Sequence, residues 1–127
     1  MKIINRSHEA TELIHFPYPL REKVEFSNGK SLRLYKAYPT GNVVFKEILG
    51  RQAFMFDSMD RLLWQIDPEK GQFDLTKALF DTKVDCEFDF LLLTAVGKDF
   101  HIMRVNGDTF ELDMETGKAK FIYWQRN

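Results

Sequence analysis

The chain lacks the features that mark secreted, membrane-spanning and nucleotide-binding proteins. Its single cysteine, Cys86, excludes an internal disulfide and fits a reducing compartment. The first residues contain no apolar signal-peptide stretch, and the longest apolar run, Phe90 to Val96, is too short for a membrane span. No glycine-rich phosphate loop or nucleophile-elbow motif occurs. We therefore expect a cytoplasmic protein without a membrane anchor or a cofactor.

The chain also has little surplus charge, but the charge that it has is unevenly placed. A net charge of −1 over 127 residues gives no general electrostatic reason to expect nucleic-acid binding. Residues 1–56 carry a net +4, whereas residues 57–127 carry a net −5. Uneven surface turns would produce such a split, and so would an acidic face for a basic partner. The length predicts one domain, residues 1–127.

Strand-and-turn patterning dominates what is present, most plainly between Val105 and Tyr123. Asn106-Gly107 separates two alternating apolar runs, as in a two-residue hairpin turn of type I′. Thr109 to Asp113 alternates with the period of a half-buried strand. Gly117 ends a second, longer turn in which a left-handed glycine is expected. The segment therefore predicts three consecutive antiparallel strands.

Similar patterning recurs along the chain. Residues 64–71 match residues 110–117 at a shift of 46 positions, and Asn28-Gly29 begins a looser third copy. A period of this length is that of one four-stranded propeller blade, although any β-meander reuses such turns. The predicted strands are 22–27, 31–38, 43–48, 52–56, 62–66, 72–75, 87–96, 100–105, 109–113 and 118–124. We expect an all-β domain of nine or ten antiparallel strands with at most one or two short helices, such as residues 7–14, where a strand is the alternative.

The segments 64–71 and 110–118 resemble the repeats of quinoprotein-type β-propellers, in which an aliphatic-Asp-x-x-Thr-Gly-Lys turn joins two blade strands. A closed propeller has four to eight blades, and this chain holds two or three copies. The resemblance therefore implies an incomplete propeller-like array, or a β-sandwich that shares the local motif. The cofactor chemistry of that family is not carried over.

The best candidate site is a run of alternating carboxylates. Asp85, Glu87 and Asp89 share one face of a predicted strand, and Asp81 precedes them. Such a face can protect a sheet edge, dock a basic partner, or supply a hydrolase that needs two converging carboxylates, one of them with a raised pKa. Trp124 is expected to be exposed as an aromatic anchor, and Trp64 belongs to the core.

Metal and nucleophile chemistry find little support in the sequence. His8 and His15 would lie two turns apart on a helix, too far for one metal ion, and no further ligands complete a site. Cys86 lies between Asp85 and Glu87, whose charges suppress the reactive thiolate. We predict no catalytic residue and no metal site.

A small cytoplasmic β-rich chain with a locally acidic surface resembles bacterial immunity proteins in its general type, although not in a sequence motif. That resemblance implies a protein-binding module that neutralises a cognate toxin domain, with basic nucleases among the candidate toxins. Two alternatives stay open: a carboxylate-dependent hydrolase, and a structural subunit that forms a homodimer through a β edge. Neither nucleic acid nor a membrane is an expected partner. The predicted partner contacts are Asp81, Asp85, Glu87, Asp89 and Trp124.

Overall fold

A computed structural model of the chain describes residues 2–8, 17–38, 43–69, 90–96, 99–104 and 107–124. These residues form ten β-strands and no helix, so no helix that could cross a membrane occurs among them. The strands are β1 (Ile3–His8), β2 (Leu20–Phe26), β3 (Ser31–Tyr35), β4 (Ala53–Phe56), β5 (Leu62–Gln65), β6 (Asp67–Pro68), β7 (Phe90–Val96), β8 (Asp99–Arg104), β9 (Asp108–Leu112) and β10 (Lys118–Trp124). The predicted all-β class is confirmed.

The strands form two five-stranded open sheets. The first sheet runs β1-β2-β3-β4-β5 in chain order, and every neighbouring pair is antiparallel. The second sheet has the order β6-β10-β9-β8-β7, in which only the β6–β10 pair is parallel. Neither sheet closes on itself, so the chain is not a complete propeller.

The two sheets share one hydrophobic core. Phe26 of the first sheet meets Phe100 of the second edge to face, with ring centroids 5.6 Å apart. Arg104 crosses between the sheets: its guanidinium lies over the Phe110 ring and donates to the Gly50 carbonyl oxygen at 3.2 Å. The buried residues of this core are Val24, Phe26, Leu32, Leu34, Ala53, Met55, Ile66, Phe100, Ile102, Phe110, Leu112, Met114 and Ala119.

A second apolar cluster covers the other face of the first sheet. Phe54 and Phe56 of β4 pack there against the segment that connects β3 to β4. We predicted a strand over residues 43–48 of that segment, and this was wrong. Phe45 and Ile48 instead join a turn, in which the Ile48 amide donates to the Phe45 carbonyl oxygen at 3.2 Å. Their apolar side chains reflect packing onto the sheet rather than strand alternation.

The Asn28-Gly29 hairpin forms as predicted, and its turn is longer than two residues. The Gly29 amide donates to the Phe26 carbonyl oxygen at 3.0 Å, and the Phe26 amide donates to the Lys30 carbonyl oxygen at 2.9 Å. Gly29 has a φ of 87°. Asp60, which lies outside this turn, is the one described non-glycine residue with a positive φ. The loop is therefore a three-residue hairpin in which only the glycine is left-handed.

The second sheet begins with a very short strand that was not among the predicted strands. Residues 67 and 68 form β6, which pairs in parallel with the start of β10. The Asp67 amide donates to the Gly117 carbonyl oxygen at 2.9 Å, and the Glu69 amide donates to the Ala119 carbonyl oxygen at 2.8 Å. Ser7, at the start of the segment 7–14 for which a helix or a strand was predicted, lies in β1 and pairs with Lys23. The predicted elements at residues 9–14 and 72–75 lie outside the described residues.

Trp64 links the two sheets at the rim of the core. Its indole Nε1 donates to the Met114 carbonyl oxygen at 3.1 Å, in the turn between β9 and β10. A Cβ added to Gly117 would lie 2.5 Å from the indole Cε3 atom. Gly117 also has a φ of 83°, so the position favours glycine on two independent grounds. The missing side chain lets the indole lie directly against the turn.

Replacing Gly117 with alanine should separate the cost of this contact from ordinary backbone strain. Gly29→Ala is the matched control, because Gly29 is also left-handed but its Cβ would meet only Ser58, at 3.1 Å. We expect Gly29→Ala to lower the free energy of unfolding by about 1–2 kcal/mol through strain alone. Gly117→Ala should cost about 2 kcal/mol more, because the indole must move. Urea unfolding measures both, and equal losses would contradict the indole contact.

Candidate functional site

Of the five predicted contact residues, the structure describes only Trp124. Asp81, Asp85, Glu87 and Asp89 lie outside the described residues. Trp124 ends β10 and is 37% exposed, and its neighbour Tyr123 is 45% exposed. Adjacent side chains of a regular strand point to opposite faces, but the register of β10 on β9 shifts between Phe121 and Tyr123. The shift lies immediately before two consecutive aromatic side chains that are both in contact with solvent.

A groove of about 860 Å³ lies at one end of the second sheet, where β6, β8, β9 and β10 meet. Buried apolar residues such as Phe100 and Leu112 contribute to its lining. Six carboxylates but only two lysines also line it. These charged residues are Asp67, Glu69, Asp99, Glu111, Asp113, Glu115, Lys118 and Lys120. The groove is therefore acidic overall.

Strand alternation explains how β9 contributes to this groove. Phe110 and Leu112 are buried in the shared core, so Glu111 between them is exposed. Glu111 lies opposite Lys120 of β10 in the antiparallel register. Opposite charges at facing positions stabilise a sheet modestly, by about 0.2–1 kcal/mol. Both side chains are exposed, so both are accessible in the middle of the groove.

The turn from Asp113 to Gly117 holds the next part of the groove in place. The Asp113 carboxylate accepts hydrogen bonds from the Glu115 amide at 2.9 Å and the Thr116 amide at 3.3 Å. The Gly117 amide donates to the Asp113 carbonyl oxygen at 2.8 Å, which closes the turn. The bond from Glu115, then those from Thr116 and the charge of Lys118, hold the pKa of Asp113 below its usual value despite some desolvation. Asp113 thus braces the turn.

The carboxylates of the groove differ in how far the fold already uses them. Glu69 accepts the Phe121 amide at 2.9 Å, which fixes it against β10. Asp113 is committed to its turn, as described above. All six carboxylates are exposed, but the remaining four make no hydrogen bond within the described residues. They belong to Asp67, Asp99, Glu111 and Glu115. These four are the ones that can accept a charged group from a bound molecule.

The exposed carboxylates of the groove can attract cationic groups, and Asp113 is a poor candidate for a general acid. A general acid needs a carboxyl group whose pKa is raised, and the shift at Asp113 runs the other way. Within the described ranges, no group of three or more His, Cys, Asp or Glu side chains is placed to hold a metal ion. His8 lies in β1, and so is not on the helix that was considered for a pair with His15.

Sequence reasoning did not identify the groove. Its carboxylates come from two parts of the chain, near Asp67 and between Asp99 and Glu115, which the parallel β6–β10 pair brings together. A two-residue strand that contains Pro68 gives almost no sequence signal. The one available indication was the net −5 of residues 57–127, which marked an acidic region without locating it.

Comparison with known proteins adds no functional assignment. No protein-family model matches the chain, and no curated protein or solved structure matches it significantly. The resemblances to propeller repeats and to immunity proteins therefore stay predictions.

The role of Asp113 in the turn predicts a pH-dependent difference between the wild type and Asp113→Asn. Asn keeps a side-chain oxygen acceptor but lacks the charge, so the variant should be less stable at neutral pH. Because the folded pKa lies below the ordinary 3.8, the stabilisation is present above about pH 4 and disappears as the pH falls through the folded pKa. Urea unfolding between pH 2 and 7 measures the difference, and a constant difference would contradict the assigned role.

Proposed function

We propose that this protein is a binding module of the immunity type, which holds and neutralises a basic toxin domain in the bacterial cytoplasm. The observation that supports this proposal is the acidic groove, which six exposed carboxylates and two lysines line. Four of those carboxylates accept no backbone hydrogen bond from the described residues. The proposed contact surface also includes Trp124, together with the acidic run Asp81, Asp85, Glu87 and Asp89.

Charge of this kind acts first on the encounter between two proteins. An acidic concave surface raises the local concentration of a basic partner and speeds association by about 10- to 1,000-fold at low ionic strength. The two lysines of the groove, Lys118 and Lys120, add specificity because they repel a partner whose basic groups approach in the wrong register. Exposed aromatic side chains supply the apolar contact that charge alone does not. Tyr123 and Trp124 lie on the same strand, about 10 and 13 Å beyond Lys120.

The hydrolase alternative has less support from the groove. Glu69 and Asp113 already accept backbone hydrogen bonds, and the pKa of Asp113 is lowered rather than raised. A carboxylate-dependent hydrolase would need one of its two carboxyl groups to hold a proton near neutral pH. The groove therefore supports binding better than catalysis.

The alternative of self-association through a β edge is disfavoured by the edge strands themselves. Register shifts interrupt the pairing of β1 with β2, of β5 with β4 and of β7 with β8. The remaining edge, β6, is two residues long and contains Pro68. Bulges, short edge strands and proline all discourage edge-to-edge pairing.

Growth rescue tests the proposal directly. The protein is co-expressed with the toxic domain encoded beside its own gene, and we expect the wild type to restore growth. The variant Glu111→Lys with Glu115→Lys should bind the purified toxin domain about tenfold more slowly at low salt, because two exposed carboxylates of the groove become lysines. Stopped-flow association at several salt concentrations measures this, and the difference should shrink as salt rises.

The matched control is Glu25→Lys with Glu47→Lys, which changes the net charge by the same amount outside the groove. We expect this control to bind nearly as fast as the wild type. Equal slowing in both double variants would show that total charge matters and the groove does not. Failure of the wild type to restore growth against any neighbouring toxin would contradict the immunity function.

A further inference from the structure

Two consecutive leucines are exposed on the edge strand β5. Leu62 is 51% exposed and Leu63 is 45% exposed, and Met59 in the preceding turn is 72% exposed. In a regular half-buried strand, neighbouring side chains point to opposite faces and one of the two would be covered. Isolated exposed apolar residues are common on proteins, but adjacent ones on an edge strand call for a physical explanation.

A β-bulge explains why both leucines reach solvent. The register of β5 on β4 moves from Met55–Trp64 to Phe56–Leu62, so Leu63 has no facing residue on β4. An extra residue of this kind breaks the alternation and redirects the side chains beside it. It also disrupts the hydrogen-bonding edge of the strand, so an added β-strand is a poor occupant. Contact with this edge should therefore go through side chains.

The apolar patch, defined as Met59, Leu62 and Leu63, adjoins the acidic groove along the chain. The next residue after the patch is Trp64, which contacts the turn at Met114 and Gly117, and Met114 lines the groove. Asp67, which also lines the groove, follows Leu63 by four residues, about 13 Å along an extended chain. A ligand that covers the leucines would therefore have carboxylates within reach of its next few residues.

We propose that the apolar patch docks a cationic amphipathic segment of the partner, with apolar side chains on Leu62 and Leu63 and basic side chains in the groove. This inference rests on the proposed function and specifies the partner's chemistry. Charge complementarity selects the occupant, because the carboxylates beside the patch favour lysine or arginine next to the apolar contact. The apolar contact slows dissociation, whereas the groove speeds association.

Two synthetic peptides of equal charge test this inference on the full chain. One has four leucines followed by four lysines, so that its apolar and basic parts can reach the patch and the groove, and the other has four serines followed by four lysines. We expect the lysine-leucine peptide to bind at least tenfold more tightly at low salt, as measured by isothermal titration calorimetry. The variant Leu62→Ser with Leu63→Ser should lose about tenfold in affinity for that peptide and be unchanged toward the lysine-serine peptide.

Two further variants complete the test, one as a control and one as an alternative change in the patch. Val96→Ser is the matched control, because Val96 is 46% exposed at the opposite edge of the second sheet, on β7. Met59→Ser lies in a turn outside the strands and tests the same patch if the double variant does not fold. We expect Val96→Ser to bind both peptides as the wild type does, and Met59→Ser to weaken only the lysine-leucine peptide.

The failures of the two proposals are distinguishable. Equal binding of both peptides, with no effect of the leucine variant, would overturn the docking patch and leave the acidic groove supported. An equal effect of Val96→Ser would also overturn the patch, since it would show nonspecific apolar contact. If neither peptide binds to the wild type, the proposed function fails together with the inference.

Discussion

The contact of Trp64 with the turn from Asp113 to Gly117 is the constraint on which the arrangement of the sheets depends. Trp64 belongs to the first sheet and the turn belongs to the second, and the indole both donates to Met114 and lies against Gly117. The chain then enters β6 only three residues later, where it pairs with β10. The contact therefore sets where the two sheets meet and where one wall of the groove lies.

Stability and the proposed binding of a partner involve different carboxylates of the same short region. Asp113 and Glu69 accept backbone amides and hold the turn and the β6–β10 pair together. Glu111 and Glu115 lie beside them and are exposed, so a partner can contact them without disturbing those bonds. This division allows charge reversal at the exposed positions to alter association while the fold persists, because surface substitutions away from such bonds change stability little.

Local chemistry made much of the fold predictable, and nonlocal contacts made the rest unpredictable. Gly29 and Gly117 adopt the left-handed conformation that their turns required, and the hairpins on either side follow. The parallel pairing of Asp67 depends on β10, which is distant in the chain, so a single sequence carries almost no sign of it. The bulge at Leu63 is a one-residue change of register within the β4–β5 hairpin, and apolar patterning does not mark it either. Residues 43–48 were misread because an apolar segment that covers a sheet resembles a strand. The groove was missed because it forms only where β6 pairs with the distant strand β10.

Native-state hydrogen exchange on the Trp64→Phe variant tests the central claim most directly. Phenylalanine keeps a ring but loses the bond to Met114, which should cost about 1 kcal/mol. If the indole couples the sheets, the slowest amides of both sheets, such as those of Met55 and Ile102, should lose the same free energy of opening. A loss confined to β5 and the 113–117 turn, with the second sheet unchanged, would contradict the account.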